Sequence, residues 1–198
     1  RGFVETLREV LSDPQLRRFL LAFFLYIDGV LTVIYFASLF AAETLGFEGI
    51  ELLLLFLVVQ ISALVGAFVL ARPSDVWGPR AVITLSLIVW TGLGISAYFV
   101  DTKPQFWTVA VLAGFNLGSV QAASRSLWTL LIPRGQEAAM FGFYAFCGRA
   151  SSILGPLVFG GVSVPTEGNQ RLSVLAITAF FLVGGVLLQR VRDPVRAA

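Results

Sequence analysis

Six long apolar runs leave this chain few folds to choose from. They extend from Phe19 to Ala42, Leu52 to Ala71, Ala81 to Val100, Phe106 to Ile132, Ala138 to Val164 and Leu172 to Gln189. A helix rising 1.5 Å per residue needs roughly 20 residues to cross a hydrocarbon core of about 30 Å, and each run is near that length. Barrel strands would alternate over about ten residues, a pattern that these runs lack. The chain of 198 residues is 57% hydrophobic and 13% charged, with a mean hydropathy of +0.86, which no water-facing surface of this size tolerates. The expected fold is all-α: an integral membrane six-helix bundle over residues 14–198, preceded by an amphipathic linker over residues 1–13, with no separate soluble domain.

The connections hold most charges together with Pro73, Pro79, Pro104, Pro133 and Pro165, the residues that end helices. Basic residues set the orientation. Arg1, Arg8, Arg17, Arg18, Arg72, Arg80, Arg134, Arg190, Arg192 and Arg196 fall on one side, and only Lys103 and Arg171 on the other. Both termini are therefore expected in the cytoplasm, with Glu43, Glu48, Glu51, Asp101 and Glu167 outside, in a cell membrane.

Two absences narrow the chemistry. There is no histidine, and Cys147 is the only cysteine, so disulfides, Cys/His metal sites and the usual nucleophile and base pairs lack material. The expectation is a protein that is not an enzyme and has no cofactor, metal or nucleic-acid partner. Met140 is the only methionine and no signal peptide precedes the first run, so the chain is expected to begin inside something larger. Phe3, Val4, Leu7, Val10 and Leu11 recur at helical spacing among Glu5, Arg8 and Glu9. That pattern predicts an amphipathic linker helix, lying on a membrane surface or on another domain. Asp13 as N-cap and Pro14 at the first helical position open the next helix.

The polar residues inside the runs carry the functional argument. Asp28 lies ten residues beyond Arg18, Gln60 nine beyond Glu51, Asn116 twelve beyond Pro104 and Arg149 twelve beyond Glu137, so four helices place a polar group near the bilayer centre. Such a layer either pairs to hold the bundle or lines a cavity that handles a solute. An unpaired Asp or Arg there costs about 2.5 to 3.5 kcal/mol on insertion scales, and an Asp28–Arg149 ion pair is expected. Thr32 and Tyr35, four and seven residues after Asp28, share its face and predict a polar cavity wall. Gly142, Ala145 and Ser152 flank Arg149 and leave it room.

Gly114, Gly118, Ala122 and Ser126 form a stripe of small residues in the fourth run, which admits close approach of another helix. Arg125 beside it either snorkels to phosphates or joins a gate. Gly155 and Pro156 predict a kink or hinge in the fifth run.

Six helices with both ends cytoplasmic resemble one half of a major facilitator superfamily transporter, built as 3+3 inverted repeats. The connection ARPSDVWGPR, Ala71 to Arg80, is similar to the superfamily's GxLADxxGxxR loop. Asp75, Gly78 and Arg80 match it, and Ala71, Pro73 and Ser74 replace its Gly, Leu and Ala. Phe19 to Ala42 (FLLAFFLYIDGVLTVIYFASLFAA), Gln121 to Pro133 (QAASRSLWTLLIP) and Phe141 to Pro156 (FGFYAFCGRASSILGP) resemble the later half of the vacuolar amino-acid effluxer-like permeases.

The resemblance implies the C-terminal half, helices seven to twelve, of a secondary transporter whose cavity lies against an N-terminal six-helix half. It implies export of a small solute, an amino acid or similar metabolite, by alternating access. Asp75, Gly78, Arg80 and Arg125 would gate, with Asp75 pairing with a helix end of the other half. Asp28, Thr32, Tyr35, Gln60, Asn116 and Arg149 would form the cavity or coupling set. If protons drive transport, Asp28 is the expected carrier. A second reading is a non-transporting bundle, or a half-size unit self-associating through the fourth-run stripe.

Overall fold

Hydrogen bonds within helices satisfy most of the backbone in the apolar runs, as a segment without water requires. A computed structural model describes residues 3–165 and 170–192. Arg1, Glu167 and Arg196 of the charge pattern lie outside the described residues. Nine helices are present among them: α1 Phe3–Ser12, α2 Pro14–Glu43, α3 Gly49–Val69, α4 Ala71–Trp77, α5 Pro79–Ala97, α6 Lys103–Leu131, α7 Glu137–Ser151, α8 Leu154–Ser163 and α9 Gln170–Leu188. Taken as α2, α3 with α4, α5, α6, α7 with α8, and α9, they form six spans long and apolar enough to cross a membrane.

The helix ends follow local chemistry. Asp13 accepts from the Gln15 and Leu16 amides at 2.7 and 3.3 Å, with Pro14 at the first position of α2. Capping boxes open α3 and α6, through Glu48 with Glu51 and Thr102 with Gln105. The Ala71–Arg80 connection, read from sequence as a loop, is largely the two-turn helix α4, stopped by Gly78 at φ 87° before Pro79 starts α5. That φ suits glycine, which has no Cβ to clash there.

Packing follows two exchanged triplets: α2 lies on α9 as α6 lies on α5, α3 lies on α6 as α7 and α8 lie on α2, and α5 meets α9. The halves of this pattern are not equally tight. Lipid is as apolar as leucine, so helices here join through close contact rather than hydrophobic expulsion. The α3–α6 contact is almost backbone to backbone: a Cβ added at Gly66 would strike the Phe115 carbonyl, one at Gly114 the Val59 carbonyl and one at Gly118 the Ala63 carbonyl. Ser62 Oγ also donates to the Val111 carbonyl at 2.7 Å. Gly114 and Gly118 of the small-residue stripe are thus occupied by α3 inside this bundle.

Each end of the bundle is tied by polar contacts. At the arginine-rich end Arg80 donates to the Val191 carbonyl at 2.7 Å, Arg18 to the Arg190 carbonyl at 3.4 Å and the Arg192 amide to Gln15 at 2.8 Å. Gln136 reaches Glu9 at 2.9 Å and holds α1 under α7. At the other end Lys103 pairs with Glu51 at 2.6 Å, and Arg171 with Asp101 at 2.6 Å and with the Tyr98 and Val100 carbonyls. In α1, Thr6 and Val10 face the bundle, while Val4 and Leu11 are exposed.

Burial is uneven in a way that matters below. Over half of the α2 span is buried, 56%, against 11% for α3 with α4 and 17% for α7 with α8. Two spans therefore keep broad faces without a neighbour among the described residues.

A matched pair of substitutions tests the glycine contact. Gly118→Ala is expected to destabilise the protein in detergent by about 1–3 kcal/mol through overpacking. Gly92→Ala, where an added Cβ meets nothing within 4 Å, should be neutral or stabilise by up to about 1 kcal/mol. Equal thermal shifts for the two would contradict the packing described.

Candidate functional site

The polar residues near the membrane centre separate into a buried set and an exposed set. Asp28 is fully buried in α2, 0% exposed, and Thr32, one turn further, is 2% exposed. Neither carboxylate oxygen of Asp28 nor Thr32 Oγ1 has a hydrogen-bond partner at regular geometry. The group facing Asp28 is the backbone N–H of Gly155 in the first turn of α8. Gly155 also packs directly on the Thr32 side chain, so closely that a Cβ there would overlap Oγ1. Asn116, 6% exposed, spends its Nδ2 on the Leu112 carbonyl of its own helix at 2.9 Å.

The expected Asp28–Arg149 ion pair is not formed. Arg149 is exposed on α7, and α2 meets α7 through Phe23 and Tyr144, with ring centroids 4.3 Å apart. That contact turns the arginine away from Asp28. Gly142, Ala145 and Ser152 are exposed with it, so the α7 face around Arg149 is open. The continuous wall expected from Asp28 through Tyr35 is also absent, since Tyr35 is 68% exposed. Beyond Thr32 the covering helix leans over Phe36, which stacks on Phe159 of α8 at 3.5 Å and 6°. Tyr35 lies past the edge of that cover.

Gln60 is exposed on α3. It lines a groove of about 140 Å³ whose other walls include Val33 and Ala37 of α2 and Ala110 and Leu117 of α6. The groove is apolar apart from Gln60 and Ser38. Arg125 is exposed on α6 and Asp75 on α4. Asp75 and the buried Ser74 line a crevice of about 140 Å³ against Ser119, Ala122 and Ser126 of α6. Arg80 is held to the end of α9 within this chain, and Gly78 supplies the positive φ between α4 and α5.

The span that carries Gly155 and Pro156 is interrupted just before them. The helix stops at Ser151 and resumes at Leu154, with Ser152 and Ile153 between. The proline ring collides with the carbonyl four residues back, and its missing N–H leaves that carbonyl free; here that residue is Ser152. Below the break α7 is fixed by the stack of Phe19, Phe23, Trp128 and Tyr144, and Trp128 Nε1 donates to the Met140 carbonyl at 3.2 Å. Above it α8 is fixed by Phe36 and Phe159. The break lies between two aromatic clamps, opposite Asp28 and Thr32.

Some groups escaped the sequence reading. Tyr26 and Ser124 share a buried hydrogen bond of 2.7 Å between α2 and α6, and nothing in residues 98 positions apart signals it. Ser86 and Trp90 of α5 are buried with Oγ and Nε1 unpartnered. Their spacing of four residues is a visible polar pair on one face of an apolar helix.

Residues 1–194 match the family described as "Vacuole effluxer Atg22 like". An "Uncharacterized MFS-type transporter YxiO" of Bacillus subtilis is 29% identical over 184 residues, which is 93% of this chain and 42% of that protein. "Autophagy-related protein 22" of Candida glabrata is 33% identical over 166 residues, 78% of this chain and 30% of that protein. The Pichia angusta protein of the same name is 32% identical over 180 residues, 85% and 32%. The chain thus spans less than half the length of these curated relatives.

Removing a proline that costs about 3 kcal/mol in a helix interior should let α7 and α8 join. In Pro156→Ala the amides of residues 152–157 are expected to exchange hydrogen more slowly than in the unchanged protein. Unchanged exchange would assign the break to the Thr32–Gly155 contact instead.

Proposed function

The chain belongs to the Atg22-like vacuole effluxer family, and on that premise we propose that it is the C-terminal half of a secondary transporter moving a small solute by alternating access. The observation that carries the reading is Arg149. It is exposed on α7, twelve residues into a span, on a face that also exposes Gly142, Ala145 and Ser152. An arginine does not face hydrocarbon at that depth without a cost of kilocalories. The face therefore meets water or another protein body, and the relatives are long enough to supply a second body. The weak burial of α3 and α7 with α8 supports the same arrangement, since these are the spans with most surface to give to a partner.

In this reading the solute passes between the halves, along a wall containing Arg149, Gln60 and Tyr35. Arg149 would hold an anionic group such as a carboxylate, and the apolar groove beside Gln60 would take an uncharged side chain. An amino acid has both features. The arginine-rich end, with both termini, would lie in the cytoplasm, in a cell membrane, and Asp75, Gly78, Arg80 and Arg125 would face the other half's gating surface. Asp28 has no place on this wall: it sits behind it, inside the half. A self-associating half-size bundle loses its strongest support, because the glycine stripe is occupied by α3.

Uptake of a panel of amino acids into vesicles holding the full-length protein tests the reading. Arg149→Ala should lower flux about tenfold to a hundredfold, matching the 1.5–3 kcal/mol of a hydrogen bond to a charged group, with little change in thermal stability. Flux equal to that of the unchanged protein would remove Arg149 from the pathway.

A further inference from the structure

Three buried oxygens of α2 lack regular partners, Asp28 Oδ1 and Oδ2 and Thr32 Oγ1, although buried polar groups are nearly always paired. All face one place, the first turn of α8 just past the break. What they meet there is an N–H donor, from Gly155. A metal cation would find that donor repulsive and would need more oxygens than the three present. A proton completes the set. A carboxylic acid at Asp28 can donate its O–H to Thr32 Oγ1, one turn away, while its other oxygen accepts from the Gly155 amide. One added hydrogen then satisfies every group.

We propose that Asp28, Thr32 and the Gly155 amide form a proton-binding site at the α7/α8 break, and that loss of the proton frees α8 to swing about Ser152 and Ile153. This rests on the transport reading and names its coupling ion. Without the proton, a carboxylate is left dry with only the start of a ten-residue helix to offset its charge. The ionised site is relieved by parting α8 from α2, which admits water. The loaded site closes the break as the structure shows it, with Ser151 wholly buried.

No other ion intervenes among the described residues. The ionisable groups within α2 and the spans packed on it are Tyr26, which shares its hydroxyl with Ser124, the exposed Tyr35, Arg125 of α6, and Tyr144, Cys147 and Arg149 of α7. Both arginines are exposed, Tyr144 stacks on Phe23, and Cys147 is half-buried. Arg80 of α5, Arg171 of α9, Glu51 of α3 and Glu9 of α1 are engaged at the bundle's ends.

The test reads the break rather than solute flux. In the full-length protein in lipid vesicles, with Cys147→Ser, a cysteine replaces Ser151. A second version replaces the exposed Val164 instead, to correct for thiol chemistry. The labelling ratio of position 151 to 164 by a maleimide should be low at acidic pH and rise severalfold towards alkaline pH. Adding Asp28→Asn should hold it low at every pH, because the carboxamide keeps one donor and one acceptor. Thr32→Ser should behave as the unchanged protein, and Thr32→Val should open at more acidic pH, having lost the acceptor of the acid's O–H. This second pair decides the matter if Asp28→Asn does not fold. A ratio independent of pH, or one that rises equally in Asp28→Asn, would overturn the proposal. So would a ratio held low at alkaline pH by added sodium, which would mark a metal-ion site. Labelling that follows pH while no amino acid is moved would instead overturn the transport reading alone.

Discussion

Hydrocarbon offers no hydrogen bonds, and this constraint sorts every polar group in the bundle. Backbone groups close on themselves as helices. Serines and threonines largely return their hydroxyls to their own helix, as Thr84, Thr91, Ser119 and Thr129 do. Asn116 does the same. Besides Ser86 and Trp90 of α5, two sets of groups are not disposed of locally: Asp28 and Thr32 inside the half, and Gln60 and Arg149 on its open faces. The two groups answer the constraint differently. The interior pair meets the end of a broken helix, and the exposed pair lies on the open faces of α3 and α7.

The fold's asymmetry has the same origin. The two triplets exchange as repeats, yet α3 presses on α6 with glycine against carbonyl along several turns, whereas α7 and α8 touch α2 through two separated aromatic contacts and, between them, the single Gly155–Thr32 approach. A glycine seam resists sliding because it has no side chains to rearrange. Two stacks with a proline-broken helix between them leave one joint. Movement in this half is therefore expected at Ser152 and Ile153 rather than along α3 and α6. The carboxylate opposite that joint is well placed to control it.

Much of this was legible in the sequence. The six spans, the Asp13–Pro14 start, the small-residue stripe and the interruption near Gly155 and Pro156 follow from run length, capping chemistry and proline geometry, which act locally. Direction around the bundle was not legible. Asp28 and Arg149 fall at similar counts along their runs, but α7 meets α2 through Phe23 and Tyr144, and the arginine is left exposed. Tyr35 follows Asp28 by two turns, yet the neighbour that covers one has left the other. Both errors come from reading a face without knowing which side of it the adjacent helix covers. The Ala71–Arg80 segment was misread for a different reason: Pro73 sits at the third position of α4, in the first turn, where a proline is tolerated.

The central claim is that the Arg149 face of α7 meets water and a second body, not lipid. Its most direct test is the reactivity of a cysteine at position 149 in the full-length protein, reconstituted in vesicles with Cys147→Ser. A membrane-impermeant charged thiol reagent should modify it, and a cysteine at the exposed apolar Leu157 of α8 should react only with a lipid-soluble reagent. Modification of position 149 by the lipid-soluble reagent alone would place that face against hydrocarbon and contradict the account.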